Sequence, residues 1–350
     1  MKKRSLKILA LAAACVLAMG LLAACGGNGG ETPSQGSGTA TPAGSGSSAA
    51  APAGQFTVGI CQLVQHEALD AATKGFKDAL IEKLGEGAVT FDEQNASGDS
   101  ATCSTIVNGF VSDGVDLIMA NATPALQAAA SATDSIPILG TSVTAYDAAL
   151  NLTDFNGTVG TNVSGTSDLA PLDKQAEMFK EILPDVKTVG ILSCSGEANS
   201  KYQVDEMTKN LTALGYTVTS YTFADSNDVA SVAQTACDEN DALYIPTDNT
   251  AANCVDLIDP IAKQTKTPII AGEEGIMKGC GLVTLTIDYY NLGRVTGEMA
   301  AKILKGEADV KDMPIEYFPE DKLVKEYNPD NAKLYGITIP DDYVAVETEE

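Results

Sequence analysis

The segment Phe56-Thr-Val-Gly-Ile60 returns in the middle of the chain as Thr188-Val-Gly-Ile-Leu192. Each copy is a short β-branched run that predicts a strand, and each precedes a stretch with apolar residues at helical spacing. Short strands that alternate with amphipathic helices are typical of a parallel sheet covered by helices on both faces. The sequence therefore predicts an α/β fold built from two copies of one strand-helix unit set.

The correspondence between the copies extends to later strands. Asp116-Leu-Ile-Met-Ala120 matches Asp241-Ala-Leu-Tyr-Ile245, and Ile136-Pro-Ile-Leu139 matches Thr267-Pro-Ile-Ile270. The helix predicted after Asp288 has no counterpart in the first copy, so we expect the chain to cross back between the halves. We predict two Rossmann-like lobes with parallel sheets, joined by a multi-strand hinge. The predicted lobes comprise residues 56–163 plus 288–318 and residues 164–287 plus 319–345.

This architecture indicates where a ligand would bind. In open parallel sheets, the ligand crevice lies outside the carboxyl ends of the strands. Two lobes that face each other across those ends form a cleft, which is a preferred position for small ligands. We therefore expect a cleft between the lobes that closes on its ligand by a hinge motion.

The start of the chain predicts export. A cationic beginning is followed by an apolar run over residues 8–22 and by small residues in Leu22-Ala-Ala-Cys25. This order predicts a secretory signal peptide over residues 1–24. The cysteine after the cleavage site resembles the lipobox of bacterial lipoproteins, so we expect Cys25 to be lipidated. Residues 25–55, rich in Gly, Ser, Ala, Thr and Pro, predict a flexible linker.

The charge balance excludes one class of partner. The chain has 22 basic and 47 acidic side chains and a net charge of −25, which is unsuited to a polyanion, so nucleic acid is excluded. The same charge argues against contact with an anionic membrane other than through the lipid. Once the signal is removed, Arg294 is the only arginine, so helix N-termini and hydroxyl groups must hold any ligand anion. The absence of Trp weakens a sugar-binding interpretation, because sugars commonly stack on indole rings.

The motifs of the sequence do not indicate a catalytic or a metal-dependent function. His66 is the only histidine, and no GxSxG motif or pair of metal ligands stands near it. The six cysteines after Cys25 show no CxxC spacing, and they allow either disulfides or buried free thiols. We predict no enzymatic activity, no cofactor and no metal.

Five motifs occur in an order that resembles a known family. They are Gln62–Phe76, Ala122–Ala125, Ser195–Ser200, Pro246–Thr250 and Asp288–Gly293. Together they resemble the substrate-binding proteins of ABC transporters of the tryptophan/tyrosine-uptake type, which have the type I periplasmic-binding-protein fold. The resemblance implies an extracytoplasmic, lipid-anchored monomer that captures an amino acid, often an aromatic one. It also implies delivery of that ligand to a membrane permease with an ATPase.

The candidate ligand-binding residues of the first lobe follow predicted strands. Thr123 is a good N-cap and Pro124 suits the first helical turn, so the helix they begin presents N–H groups that could hold a ligand carboxylate. Ser142 and Thr144 lie at the equivalent position after the next strand, where they either complete this site or form a turn. The loop after the first strand adds two further candidates, Gln62 and His66.

The candidates of the second lobe are acidic, amide or hydroxyl side chains. A ligand ammonium group needs a counter-charge, and Asp248 and Asp288 are the leading candidates, although each is equally suited to cap a helix. Glu197 becomes a cleft carboxylate if Asn199 or Ser200 caps the helix that follows. The remaining candidates at these strand ends are Thr247, Asn249, Thr250 and Glu273.

Two alternatives share this architecture. A sugar or a nucleoside is the second choice of ligand. A receptor domain that senses its ligand and signals to a membrane kinase would use the same fold.

Overall fold

The computed structural model describes residues 55–346. The predicted signal peptide, Cys25 and nearly all of the predicted linker lie outside the described residues. Thirteen strands and twelve α-helices make up the described part. The strands are β1 Phe56–Gln62, β2 Val89–Asn95, β3 Leu117–Asn121, β4 Ile138–Val143, β5 Val163–Ser167, β6 Thr188–Cys194, β7 Thr217–Phe223, β8 Ala242–Ile245, β9 Ile269–Ala271, β10 Val283–Thr286, β11 Glu316–Tyr317, β12 Val324–Tyr327 and β13 Val344–Ala345. The helices are α1 Glu67–Leu84, α2 Ser100–Asp113, α3 Thr123–Ala132, α4 Tyr146–Leu150, α5 Leu172–Ile182, α6 Ala198–Ala213, α7 Val229–Glu239, α8 Asn249–Ala252, α9 Val255–Thr265, α10 Glu274–Cys280, α11 Tyr289–Leu304 and α12 Pro329–Tyr335.

The strands form two sheets, which confirms the predicted two-lobed α/β fold. The first sheet has the order β11-β5-β4-β3-β1-β2, and the second has the order β13-β12-β10-β9-β8-β6-β7. All pairings are parallel except that of β10 with β12. The repeat noted in the sequence is visible here, because β1 lies between β2 and β3 as β6 lies between β7 and β8.

The chain passes between the sheets three times. It crosses after β5, again after β10, and a third time between β11 and β12. Because β5 pairs with β4, the first sheet continues to Ser167, beyond the lobe boundary predicted at residue 163. The three crossings join the two lobes and form the hinge region at the base of the cleft.

The first sheet is buried on both of its faces, as expected for a parallel sheet between helix layers. On one face, Val58 and Ile60 pack in a core with Phe76 of α1. On the other, Cys61 and Phe110 belong to a separate core that includes α2 and α3. Within residues 55–346, no helix combines the length and apolar character needed to cross a membrane.

Candidate ligand-binding cleft

The carboxyl ends of the strands in the two lobes face each other. His66, after β1, approaches Asn249 at the start of α8, with 3.2 Å between Nε2 and Oδ1. Thr144, after β4, lies 3.5 Å from Gln203 of α6, measured from Oγ1 to Nε2. These contacts join the first lobe to the second, so the structure has its cleft closed.

An open cavity of about 350 Å³ remains at one end of this interface. Both lobes contribute to its lining, and the predicted site residues among its walls are Pro124, Glu197, Asn249 and Thr250. The cavity therefore marks the mouth of the predicted cleft.

Glu197 is the centre of a hydrogen-bonded network in the second lobe. Its carboxylate accepts bonds from the backbone N–H and side-chain Nδ2 of Asn249, at 3.1 and 2.7 Å. It also accepts from the N–H and Oγ1 of Thr250, at 2.9 and 2.8 Å, and from Nδ2 of Asn199 at 3.0 Å. The side chain is 5% exposed. Glu197 thus fixes the loops of the second lobe, and its own acceptor capacity is used within the protein.

This network also sets the tautomer of His66. Because Nδ2 of Asn249 donates to Glu197, the Oδ1 of Asn249 must accept, and Nε2–H of His66 is its donor. Burial lowers the pKa of His66 from its ordinary value, so the ring is neutral near pH 7. Nδ1 therefore carries a lone pair, and this buried atom has no hydrogen-bond partner in the part of the chain that the structure describes. His66 presents an acceptor to the cleft.

Other polar atoms at the strand ends are also buried without a partner. The hydroxyl groups of Thr123 and Ser142 and the Oδ1 atoms of Asn121 and Asn199 make no hydrogen bond within residues 55–346. A buried polar atom without a partner costs about 1–3 kcal/mol. Such atoms concentrate at the ends of β3, β4 and β6, where a ligand would restore the missing bonds.

Backbone strain marks the same rim. Ala122, immediately before α3, has φ 89° and ψ 158°, and Ser142 at the end of β4 has φ 53°. Non-glycine residues occupy these regions rarely, and such strain concentrates at ligand-binding and catalytic sites.

Three of the four acidic candidates, Asp248, Glu273 and Asp288, cap helices with their side chains. Asp248 accepts from Cys194 N at 2.6 Å, Ser200 Oγ at 2.7 Å and Ala251 N at 2.8 Å. Burial, together with the neighbouring Glu197, raises the pKa of Asp248. Of the two roles for which the sequence made Asp248 equally suited, this geometry favours the cap over the ligand counter-charge.

Glu273 and Asp288 have the same role. Glu273 accepts from the N–H groups of Gly275 and Ile276 at the start of α10, and burial raises its pKa to about 7. Asp288 accepts from Asn291 N at 2.9 Å at the start of α11.

The remaining candidates, Gln62, Thr247 and Pro124, lie at the rim of the cleft, and each has a different role. Gln62 is engaged within its own lobe, accepting from Thr73 and donating to Asp70. Thr247 donates to Gln203, and Pro124 lies in the first turn of α3 as predicted. The N-cap of α3 is Ala122 and not Thr123 as predicted, because the helix begins one residue earlier, at Thr123.

Two residues of the cleft base, Asp168 and Gln203, were absent from the sequence-based candidates, whereas Tyr289 was considered as a residue that stacks on the ligand or packs in the hinge. Asp168 follows β5, Gln203 lies in α6, and Tyr289 begins α11. Asp168 accepts from Thr144 Oγ1 at 3.0 Å and from Tyr289 OH at 3.1 Å. Its position directly after a strand was the signal that could have identified it, but the β5 strand itself was not recognised.

Comparison with known proteins places the chain among transport proteins. The family model for ABC transporter substrate binding proteins matches residues 57–350. A tyrosine-binding protein of Clostridioides difficile (strain R20291) is 36% identical over 332 residues, covering 94% of this chain and 92% of the relative.

Solved structures agree with this assignment. An ABC domain from Streptococcus pneumonia in complex with L-Trp matches with a TM-score of 0.78 and 34% identity, covering 82% of this chain and 96% of that one. The ligand-free, open structure of a substrate binding protein with adhesive properties from Clostridium difficile matches with a TM-score of 0.64 and 39% identity, covering 84% and 100%. The open structure is less similar in shape although its sequence is more similar, which agrees with the closed cleft. This chain belongs to the family of ABC transporter substrate-binding proteins.

Proposed function

We propose that this chain captures an amino acid with an aromatic side chain, Trp, Tyr or Phe, for an ABC importer. The observation that carries the proposal is the set of buried polar atoms without partners at facing strand ends. The tyrosine-binding relative and the L-Trp complex support this choice of ligand.

The first lobe supplies donors for a ligand carboxylate. Among the described residues, the hydroxyl groups of Thr123 and Ser142 lack partners. The first-turn N–H groups of α3 have no intrahelical acceptor. The positive end of a helix dipole favours an anion at this position. The carboxylate therefore binds here without an arginine.

The same unpaired buried groups explain why a bound ligand favours closure of the cleft. In the closed, empty cleft each unpaired buried group costs free energy, whereas in an open cleft water satisfies it. A ligand that pairs these groups favours the closed arrangement, as expected for a hinge protein. We infer that the closed, loaded form is the one that meets the permease and its ATPase.

The further parts of the proposal concern location and chemistry. Lipidation of Cys25 would hold the protein, as a monomer, at the outer face of the membrane. The protein would act by binding alone, without catalysis. The alternatives are a sugar or nucleoside ligand, and a sensing receptor instead of a transport protein.

A ligand screen tests the proposal directly. We expect L-Trp, L-Tyr or L-Phe to raise the thermal unfolding midpoint of the purified protein, because a ligand at about 100 times its Kd stabilises the folded state by about 2.7 kcal/mol. The screen includes the standard amino acids, common sugars and nucleosides. Stabilisation by a sugar or nucleoside alone would overturn the amino-acid assignment.

Thr123→Val tests the carboxylate site. The substitution keeps the shape of the side chain and removes the hydroxyl, so we expect the Kd for the bound amino acid to rise about 10- to 100-fold. Thr105→Val is the matched control, because Thr105 is exposed on α2 and away from the cleft. Calorimetric titration measures both variants, and equal affinities in the two would contradict the role of Thr123.

Lys278→Gln tests closure without touching the cleft. Lys278 of α10 pairs with Glu67 of α1 in the other lobe and with Glu274 of its own helix. Exposed ion pairs contribute about 0–1 kcal/mol, so we expect the Kd to rise no more than about fivefold, with a smaller effect at high salt. Lys201→Gln, which removes a pair confined to α6, should leave the Kd unchanged in the same titration.

A further inference from the structure

Four buried carboxylates surround the cleft, and one of them differs from the rest. Glu197, Asp248 and Glu273 each accept backbone N–H groups from loops or helix starts. Within residues 55–346, Asp168 accepts hydrogen bonds from two side-chain hydroxyl groups, those of Thr144 and Tyr289, and from no backbone N–H of another residue. A carboxylate offers about four acceptor positions, so Asp168 retains capacity for a further donor.

Asp168 also lacks a counter-charge. It is 3% exposed, and no lysine, arginine or histidine within residues 55–346 forms an ion pair with it. Buried carboxylates are normally paired, because desolvation of a lone charge is costly. The other three form no ion pair within the described residues either, but backbone N–H groups stabilise their charge, so Asp168 is the one without such compensation.

The position of Asp168 supplies an explanation. It lies in the first crossing between the lobes, and Tyr289 lies just after the second crossing. Thr144, which donates to Asp168, is itself 3.5 Å from Gln203 of the other lobe. The carboxylate thus sits at the base of the cleft, next to the surfaces that closure brings together.

We propose that Asp168 receives the cationic group of the ligand, and that it selects ligands with a free ammonium group. The inference rests on the proposed function and deepens it. An ammonium bound at Asp168 supplies the positive charge and the hydrogen-bond donors that this carboxylate lacks. It binds next to Tyr289, whose hydrogen bond to Asp168 connects two of the hinge crossings. A ligand that lacks this group leaves a buried carboxylate without compensation when the cleft closes.

The groups around Asp168 couple ligand binding to the release of a proton. The ionisable groups around Asp168 are Tyr146, Tyr289, Glu273 and His66, and none of them supplies a positive charge at neutral pH. Burial raises the pKa of Asp168 to about 6, and a bound ammonium lowers it again. Near pH 6, binding therefore releases a fraction of a proton, and affinity decreases as the pH falls below this value.

Paired ligands test the proposal in calorimetric titrations. The probes are L-tyrosine and L-tryptophan, each beside its analogue without the amino group, 3-(4-hydroxyphenyl)propanoate and 3-indolepropanoate. We expect the protein to bind the amino acid about 100-fold more tightly than the analogue, and Asp168→Asn to reduce this preference to less than about fivefold. Asp173→Asn, an exposed change of the same kind on α5, should keep the full preference.

The outcomes separate two kinds of failure. If Asp168→Asn keeps both the affinity and the preference, the role of Asp168 is overturned while amino-acid capture stands. If the unaltered protein binds neither amino acid but binds another ligand, the proposed function fails first. Should Asp168→Asn not fold, titration of the unaltered protein in two buffers of different ionisation enthalpy decides: proton release near pH 6 and none near about pH 8 supports the proposal, and no release at either pH contradicts it.

Discussion

Glu197→Gln is expected to lower the free energy of unfolding by about 3 kcal/mol and to weaken ligand binding more than about 100-fold. The carboxylate accepts five hydrogen bonds, two each from Asn249 and Thr250 and one from Asn199. A glutamine replaces one acceptor oxygen with an NH₂ group that faces N–H or O–H donors. Buried donors then lose their partners, and each loss costs about 1–3 kcal/mol.

The effect on binding is transmitted through Asn249. Once its Nδ2 loses Glu197, the amide is free to turn, and the hydrogen bond that sets the tautomer of His66 is lost. The acceptor at Nδ1 of His66 is then no longer fixed. Chemical denaturation and calorimetric titration measure the two effects separately.

Glu177→Gln provides the matched control. Glu177 is exposed on α5, so the same change of charge should alter stability by less than about 0.5 kcal/mol and leave the affinity unchanged. If Glu197→Gln is as stable as this control, the network is not what orders the second-lobe loops.

The sequence predicted the rim of the cleft because strand ends are a property of the fold. A repeated strand-helix pattern places the residues after β1, β3, β4, β6 and β8 at one edge of each sheet. For that reason His66, Thr123, Ser142 and Asn199 could be nominated without coordinates, and their unpartnered atoms lie at this edge.

Which acidic residues cap helices and which could bind the ligand could not be predicted in the same way. Asp248, Glu273 and Asp288 all follow strands and precede helices, so each fits both a cap and a counter-charge. The choice depends on distances to loops far away in the sequence, such as that from Asp248 to Cys194 N. Asp168 was missed because β5 is short and rich in Ser and Thr, so it lacks the apolar run that predicts a strand.

Gly293→Ala is expected to lower the free energy of unfolding by more than about 3 kcal/mol, because it adds an atom where two helices meet. A Cβ at position 293 would overlap the backbone carbonyl oxygen of Ala72 in α1. Across the same interface, a Cβ at Gly75 would overlap the carbonyl oxygen of Tyr290, and one at Gly297 would lie 2.5 Å from that of Phe76. These neighbours are backbone atoms, so no rotamer change can make room.

The Gly293→Ala substitution is also expected to disturb the hinge, because α11 begins directly after the chain returns from the second lobe. If α11 is displaced from α1, Tyr289 at its start moves away from Asp168, with which it forms a 3.1 Å hydrogen bond. We therefore expect the remaining folded protein to bind its ligand more weakly as well.

Gly109→Ala separates this cause from a general effect of replacing a helical glycine. No atom of the described residues lies within 4 Å of a Cβ at position 109 in α2, so that change should stabilise the protein by about 0.5–1 kcal/mol. Opposite shifts of the two denaturation midpoints are the expected result, and two shifts of the same sign would show that the close contact between α1 and α11 is not what requires glycine at position 293.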